Sequence, residues 1–206
     1  KKTRFILNTS SFRSDLEKEQ RLGQFLDTMY TKALKHYNHK RIHDLKNQHQ
    51  GVDIIFTSKT TGKQYTIDEK AQLDYINEDL PTFAFELSYL KKGRLREGWL
   101  FDKNKKTDFY ALVTGIYYEV NEFTSCKITL VNRRKLLRKL CDIGLDKKDG
   151  VIFRKNDKHG KIIVPQLNQK KEGYLFLSKH NKEEQPMNLI LKLAWLNELQ
   201  ISKCLL

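Results

Sequence analysis

Gly51-Val52-Asp53-Ile54-Ile55-Phe56 and Gln64-Tyr65-Thr66-Ile67-Asp68-Glu69-Lys70-Ala71-Gln72 are the two stretches on which the fold turns. Both read as strands, the second with clear period-two alternation, and Ser58-Lys59-Thr60-Thr61-Gly62-Lys63 between them supplies a turn. A hairpin turning about Thr60 and Thr61 pairs residues whose numbers sum to 121. That register sets Asp53 opposite Asp68, with Cβ atoms about 5 Å apart. Because strand side chains alternate, Asp68, Lys70 and Gln72 share one face, and Tyr65, Ile67, Glu69 and Ala71 share the other.

Two carboxylates so placed repel each other, and in a partly desolvated site one takes up a proton unless a cation compensates. Carboxylate, carbonyl and water oxygens suit magnesium, with manganese substituting, better than zinc. Such an ion binds a phosphate oxygen and lowers the pKa of a bound water, while Lys70 can orient that water or offset the developing charge. The chemistry implied is hydrolysis of a phosphodiester.

This arrangement resembles the PD-(D/E)XK nuclease superfamily, which includes many restriction endonucleases, Holliday-junction resolvases and repair nucleases. The likeness spans about residues 14 to 75: an acidic helix, an Asp at the start of a strand, then an acid-x-Lys strand after a short turn. It implies an α/β, restriction-endonuclease-like core with a mixed, mainly antiparallel central sheet flanked by helices. It also implies Asp53 and Asp68 as metal ligands, Lys70 as the water-positioning group, and Gln72 as a supporting polar residue. A glutamate of the first helix often completes the metal shell in that family. Glu19, in line with Leu22 and Leu26, is the expected one, and Glu86 on the next strand is the alternative, weighed against a partnership with Arg94, Arg96 or a nearby lysine. Val52 stands where proline is common in the family, and residues 73 to 82 offer at most a short helix where the family's core places one.

Outward from the hairpin, Ser14 to about His43 reads as one long helix carrying Leu16, Leu22, Leu26, Met29, Tyr30, Ala33 and Leu34 as an apolar stripe, with Ser14 as N-cap and Glu17 completing a capping box. His36, His39 and His43 would fall on that helix at metal-ligand spacing, but the neighbouring Lys35, Lys40 and Arg41 favour a solvated face over a zinc site. Strands are expected at Thr82 to Tyr89, Gly98 to Phe101, Asp108 to Val120 and Lys127 to Val131. Val151 to Phe153 and Lys161 to Pro165 form a second candidate hairpin, and Met187 to about Leu199 a final helix.

The 206 residues carry 39 Lys and Arg against 25 Asp and Glu, a formal charge of +14, so a polyanion is the natural partner. Between Lys127 and Lys182 there are 16 basic and 5 acidic residues. The densest basic run, Arg133, Arg134, Lys135, Arg138 and Lys139 around Leu136, Leu137 and Leu140, reads as an amphipathic helix, either a solvated surface element or a grip on the phosphate backbone. The expected division is a nuclease core at 1–126 and a basic region at 127–206 packed on it. Cys126, Cys141 and Cys204 fit neither a disulfide framework nor a zinc knuckle, so they are expected as reduced thiols in a cytoplasmic protein. No apolar run is long enough for a membrane span, and no signal peptide is expected. These readings converge on a magnesium-dependent endodeoxyribonuclease acting on double-stranded DNA as a homodimer, a type II-like restriction enzyme first, a resolvase or repair nuclease next. A non-catalytic nucleic-acid-binding module is the alternative of a different class.

Overall fold

The computed structural model of the chain describes residues 9–146, 154, 158–179 and 183–206. They form an α/β structure of two sheets and a few helices. The elements are helix α1 (Thr9–Ala33), strand β1 (Tyr37–Arg41), the short helix α2 (Leu45–His49), β2 (Ile54–Ser58), β3 (Gln64–Ala71), β4 (Thr82–Lys91), β5 (Arg94–Glu97), β6 (Phe109–Glu119), β7 (Glu122–Asn132), helix α3 (Arg133–Asp142), β8 (Gly160–Ile162), β9 (Gly173–Leu177), β10 (Met187–Lys192), helix α4 (Leu193–Glu198) and β11 (Ser202–Cys204). The first sheet has the order β1-β2-β3-β6-β7-β11, antiparallel except for the β3–β6 pair. The second, antiparallel throughout, is ordered β5-β4-β10-β9-β8.

The expected hairpin is present in the expected register. Ile54, Ile55, Phe56 and Thr57 pair with Ile67, Thr66, Tyr65 and Gln64. Its turn closes through Ser58 N–H to Lys63 O at 2.9 Å, and Gly62 takes the positive φ of 70° that the reversal needs. Ile54, Phe56 and Ile67 point to the α1 side, where they pack with Leu22, Leu26 and Tyr30 and with Ala111, Val113 and Ile128 of β6 and β7. The opposite face of β6 supplies Tyr110 and Leu112 to a larger core shared with Phe85, Leu175 and Leu189 of the second sheet and with Leu136 and Leu140 of α3. With both faces covered, β6 reads as the near-continuous apolar run Phe109-Tyr110-Ala111-Leu112-Val113.

Three sequence assignments are corrected. The first helix starts at Thr9, so Ser14 lies inside it, and it stops at Ala33, where the apolar stripe runs out. Residues 37–41 instead pair along the edge of β2 with Tyr37, His39 and Arg41 turned inward, so the three histidines share no helix face. Met187 to Lys192 is a strand, not helix: Met187, Leu189 and Leu191 are buried alternately between β4 and β9, and only Leu193–Glu198 is helical. Finally, Gly98 to Phe101 is a turn segment following β5, and its edge hydrogen bonds run from Gly98 N–H to Leu87 O and from Leu100 N–H to Glu86 O. Val151 to Phe153 lie outside the described residues, while Gly160–Ile162 pairs with β9.

A parallel pair needs a long crossover. Between β3 and β6 the chain makes a 3-10 turn at Leu73–Tyr75 and then sends out the β4–β5 hairpin, which founds the second sheet. β4 pairs with β10, and β7 spans residues 126 and 127, so the sheets interleave the two halves of the sequence.

Candidate active site

The site forms where β2 leaves β3. Asp53 directly precedes β2, its N–H donating to Ile67 O at 2.8 Å and its carbonyl accepting from Ile42 N–H at 2.7 Å, so the backbone is tied on both sides. Because the ladder ends at Ile54, the Asp53 carboxylate turns along the strand end, where its Oδ2 accepts the Glu69 N–H at 2.8 Å. It still meets Asp68. Burial, followed by the Asp68 charge, pushes the Asp53 carboxyl up to about 6.

Asp68 is 1% exposed. Its Oδ1 accepts from Lys70 Nζ at 2.5 Å, and its Oδ2 is buried with no hydrogen-bond donor. Gly51, at φ +71°, leaves room beside that oxygen: a Cβ there would collide with Thr107 Oγ1 and lie 3.1 Å from Asp68 Oδ2. The cradle is held from the other side by Thr107 Oγ1–H donating to Gly51 O at 2.8 Å and by Lys105 Nζ donating to His49 O at 3.0 Å. Tyr110 stands next to Asp68 across the parallel ladder. Lys70 Nζ also lies 5.4 Å from the centre of the Trp99 ring.

The expected set is thus only partly assembled. Asp53, Asp68 and Lys70 come together. Gln72 does not stay on their face, because β3 ends at Ala71 and the backbone turns; its amide donates to Thr82 O at 2.9 Å and fastens β3 to β4. Glu19 is exposed on α1 and lines, with Asp53, Arg41 and His43, a cavity of about 720 Å³ on the helix side. Among the described residues no three His, Cys, Asp or Glu side chains converge as a ready-made metal shell, so Glu19 does not join the two aspartates. Glu86 is half-buried on β4. Burial and then Glu184 raise its carboxyl, and Lys70 and Lys105 act against that shift.

Neighbouring Glu69 belongs to a different cluster. It accepts from Tyr30 Oη at 2.8 Å and from Arg41 Nη1 at 3.0 Å, and Arg41 also holds Asp27 at 2.8 Å. Burial works against the Arg41 charge, and the hydrogen bonds to Asp27 and Glu69 outweigh it. The sequence reading missed this network because its members lie on three separate elements. It also missed the Gly51–Lys105–Thr107 cradle, for which Gly51 directly before Val52-Asp53 was the available signal.

On the basic helix, Leu136 and Leu140 are buried as the amphipathic pattern requires, and Asn132 caps the first turn by accepting from Lys135 N–H at 2.9 Å. Its basic residues divide. Arg133 donates to Tyr110 Oη at 3.0 Å and to Asp102 O at 2.8 Å, and Lys135 donates to Gln200 O at 3.1 Å. Arg134 and Arg138 are exposed, and Lys139 is half-buried. The three cysteines are free, Cys126 buried and the other two exposed. Among the described residues no helix is long and apolar enough to cross a membrane. Comparison with protein-family models, with curated proteins and with solved structures gives no match to this chain.

Proposed function

We propose that the chain is a metal-dependent endodeoxyribonuclease of the PD-(D/E)XK type, hydrolysing DNA phosphodiester bonds at Asp53, Asp68 and Lys70. The observation that carries the reading is the paired carboxylates with a buried, donorless Asp68 Oδ2 beside a lysine. A buried acceptor left without a partner is costly, and a second acid nearby deepens the deficit. An oxygen-only donor set of this kind fits a hard divalent ion, magnesium or manganese, with Asp53 and Asp68 as ligands and waters filling the remaining positions. Once bound, such an ion supplies a Lewis acid for the phosphate and a water of lowered pKa.

The chain's own groups do the rest. Asp68, beside the Gly51 backbone that Thr107 fastens, fixes where the phosphate must come. The Lys70 ammonium, which lies over the Trp99 ring, donates to a water or to the non-bridging oxygens as charge builds on them. Arg134 and Arg138, exposed on α3, supply phosphate contacts that position the duplex without reading its sequence. The hairpin, the preceding helix and the parallel β3–β6 pair support a core of this family's kind, with the β4–β5 excursion standing where that core carries a helix. A restriction-type homodimer cutting both strands remains the first subtype, with a junction resolvase or repair nuclease next.

The test is supercoiled plasmid incubated with magnesium, with and without chelator. Nicked and linear products that the chelator prevents are expected, and none from Asp68→Ala. A second reading rests on the Lys70–Asp68 ion pair, which already offsets one carboxylate: a non-catalytic nucleic-acid-binding module. That reading expects a salt-sensitive gel shift with intact DNA under both conditions.

A further inference from the structure

A second cavity, about 560 Å³, opens beside Lys70 between the end of β3 and the outer face of the second sheet. Its wall is aromatic on both sides: Trp99 from the segment after β5, Tyr174 and Phe176 from β9. Tyr174 and Phe176 alternate with Gly173, Leu175 and Leu177, which are buried in the core, so their rings stand on the face turned away from it. Cations lie over two of the rings. Lys161 Nζ lies 4.1 Å from the Tyr174 ring centre, and Lys70 reaches over Trp99. Asn188 and Asp74 add hydrogen-bonding groups of both kinds to the lining.

We infer that this cavity receives an unpaired nucleobase of the substrate strand, stacked against Tyr174 and Phe176, so that the substrate is DNA that is single-stranded or locally opened beside the cleaved bond. The inference rests on the nuclease reading and, within it, favours the resolvase or repair subtype over a restriction enzyme acting on intact duplex. The size is within the range of small-ligand pockets, and aromatic rings with ammonium groups close by match a base joined to a phosphate. A base inside an intact duplex cannot reach such a recess without leaving the stack, at a cost of a few kcal/mol that is least where pairing is already absent. Lys70 belongs to both the cavity and the carboxylate cluster, so a base held here brings its own phosphate to Asp68.

Binding is measured by fluorescence anisotropy in chelator, where cleavage plays no part, using the full chain with a labelled single strand, the matching perfect duplex and a strand of abasic residues. The single strand should bind at least about tenfold more tightly than the duplex at equal salt. Tyr174→Ala should lose roughly tenfold on the single strand, the scale of one stacked base. It should lose nothing on the abasic strand, while Tyr174→Phe retains binding. Equal affinity for strand and duplex, or an equal loss on the abasic strand, would overturn the inference. Wild-type protein gives an independent reading: thymidine 5′-monophosphate should quench tryptophan emission where deoxyribose 5-phosphate does not, and identical behaviour of the two sinks it. Plasmid cleavage in magnesium, scored separately, reports whether the nuclease reading itself stands.

Discussion

Asp68 and Glu69 are consecutive on one strand, point to opposite faces of one sheet, and are treated in opposite ways by their surroundings. Glu69 is engaged by Tyr30 and Arg41, and Arg41 is engaged in turn by Asp27. Asp68, the more deeply buried of the two, has one oxygen on Lys70 and the other with no donor. A complete network holds a fold together, whereas a buried acid left short of donors holds free energy that only an incoming partner can release. On the proposed reading, the α1 face of β3 serves stability and the face toward the second sheet serves chemistry.

The sharpest way to break that contrast is to exchange the outcomes. Asp68→Ala should abolish magnesium-dependent plasmid nicking, a loss of at least roughly 10²–10³-fold, while leaving the denaturation midpoint in chelator unchanged or higher. Arg41→Ala should do the reverse. It leaves Asp27 and the largely buried Glu69 without their cation, so urea denaturation should show a loss of about 3 kcal/mol, with a far smaller change in cleavage per folded molecule. Were Arg41→Ala to stop cleavage in fully folded protein while Asp68→Ala did not, the roles assigned to the two faces would have to be exchanged.

Proton linkage sharpens the same comparison. The Asp53 carboxyl in the folded protein titrates near 6, above the ordinary aspartate value that the unfolded chain retains. Between about pH 4 and pH 6 the native state therefore binds more protons than the unfolded state. Stability in chelator should fall as pH rises through that window and level off above it. Asp53→Asn should flatten this part of the profile. Since the metal and the proton compete for the same carboxylates, midpoint shifts on adding manganese should grow across the same interval.

Much of this site was legible before any coordinates, and the reasons lie in particular residues. The Thr60–Thr61 turn and the alternation of Tyr65, Ile67 and Glu69 define the register of the hairpin, because a slip by one residue would send Ile67 to the wrong face. Asp53, Asp68 and Lys70 follow from that register alone. Gln72 could not, since period-two counting holds only while the strand lasts, and the turn at Leu73–Tyr75 begins immediately afterwards. Glu19 failed for a related reason. Helical alignment with Leu22 and Leu26 says which stripe a residue is near, but not whether its side chain is buried, and Glu19 is exposed where Leu22 and Leu26 are not. The second sheet was the hardest to see. Its strands come from residues 82–97 and 160–192, Met187-Asn188-Leu189-Ile190-Leu191 fits a buried helix as well as a buried strand, and only its place between β4 and β9 decides.

The smallest effect expected concerns the basic helix, where the same distinction between occupied and unoccupied groups recurs within one turn. Arg133 is spent on Tyr110 and on the carbonyl of Asp102, whereas Arg134 beside it and Arg138 one turn on are exposed. If these two arginines touch phosphate, Arg134→Ala with Arg138→Ala should reduce the slope of log K against log salt by up to about 2 and weaken duplex binding uniformly across sequences. The denaturation midpoint should not move. Arg133→Ala should lower the midpoint, because Tyr110 is fully buried and the guanidinium is the donor its hydroxyl accepts. An unchanged salt slope in the double variant would place the phosphate grip elsewhere, and among the basic side chains already at the site Lys105, beside the cradle, and Lys161, beside the aromatic cavity, would be the next to replace.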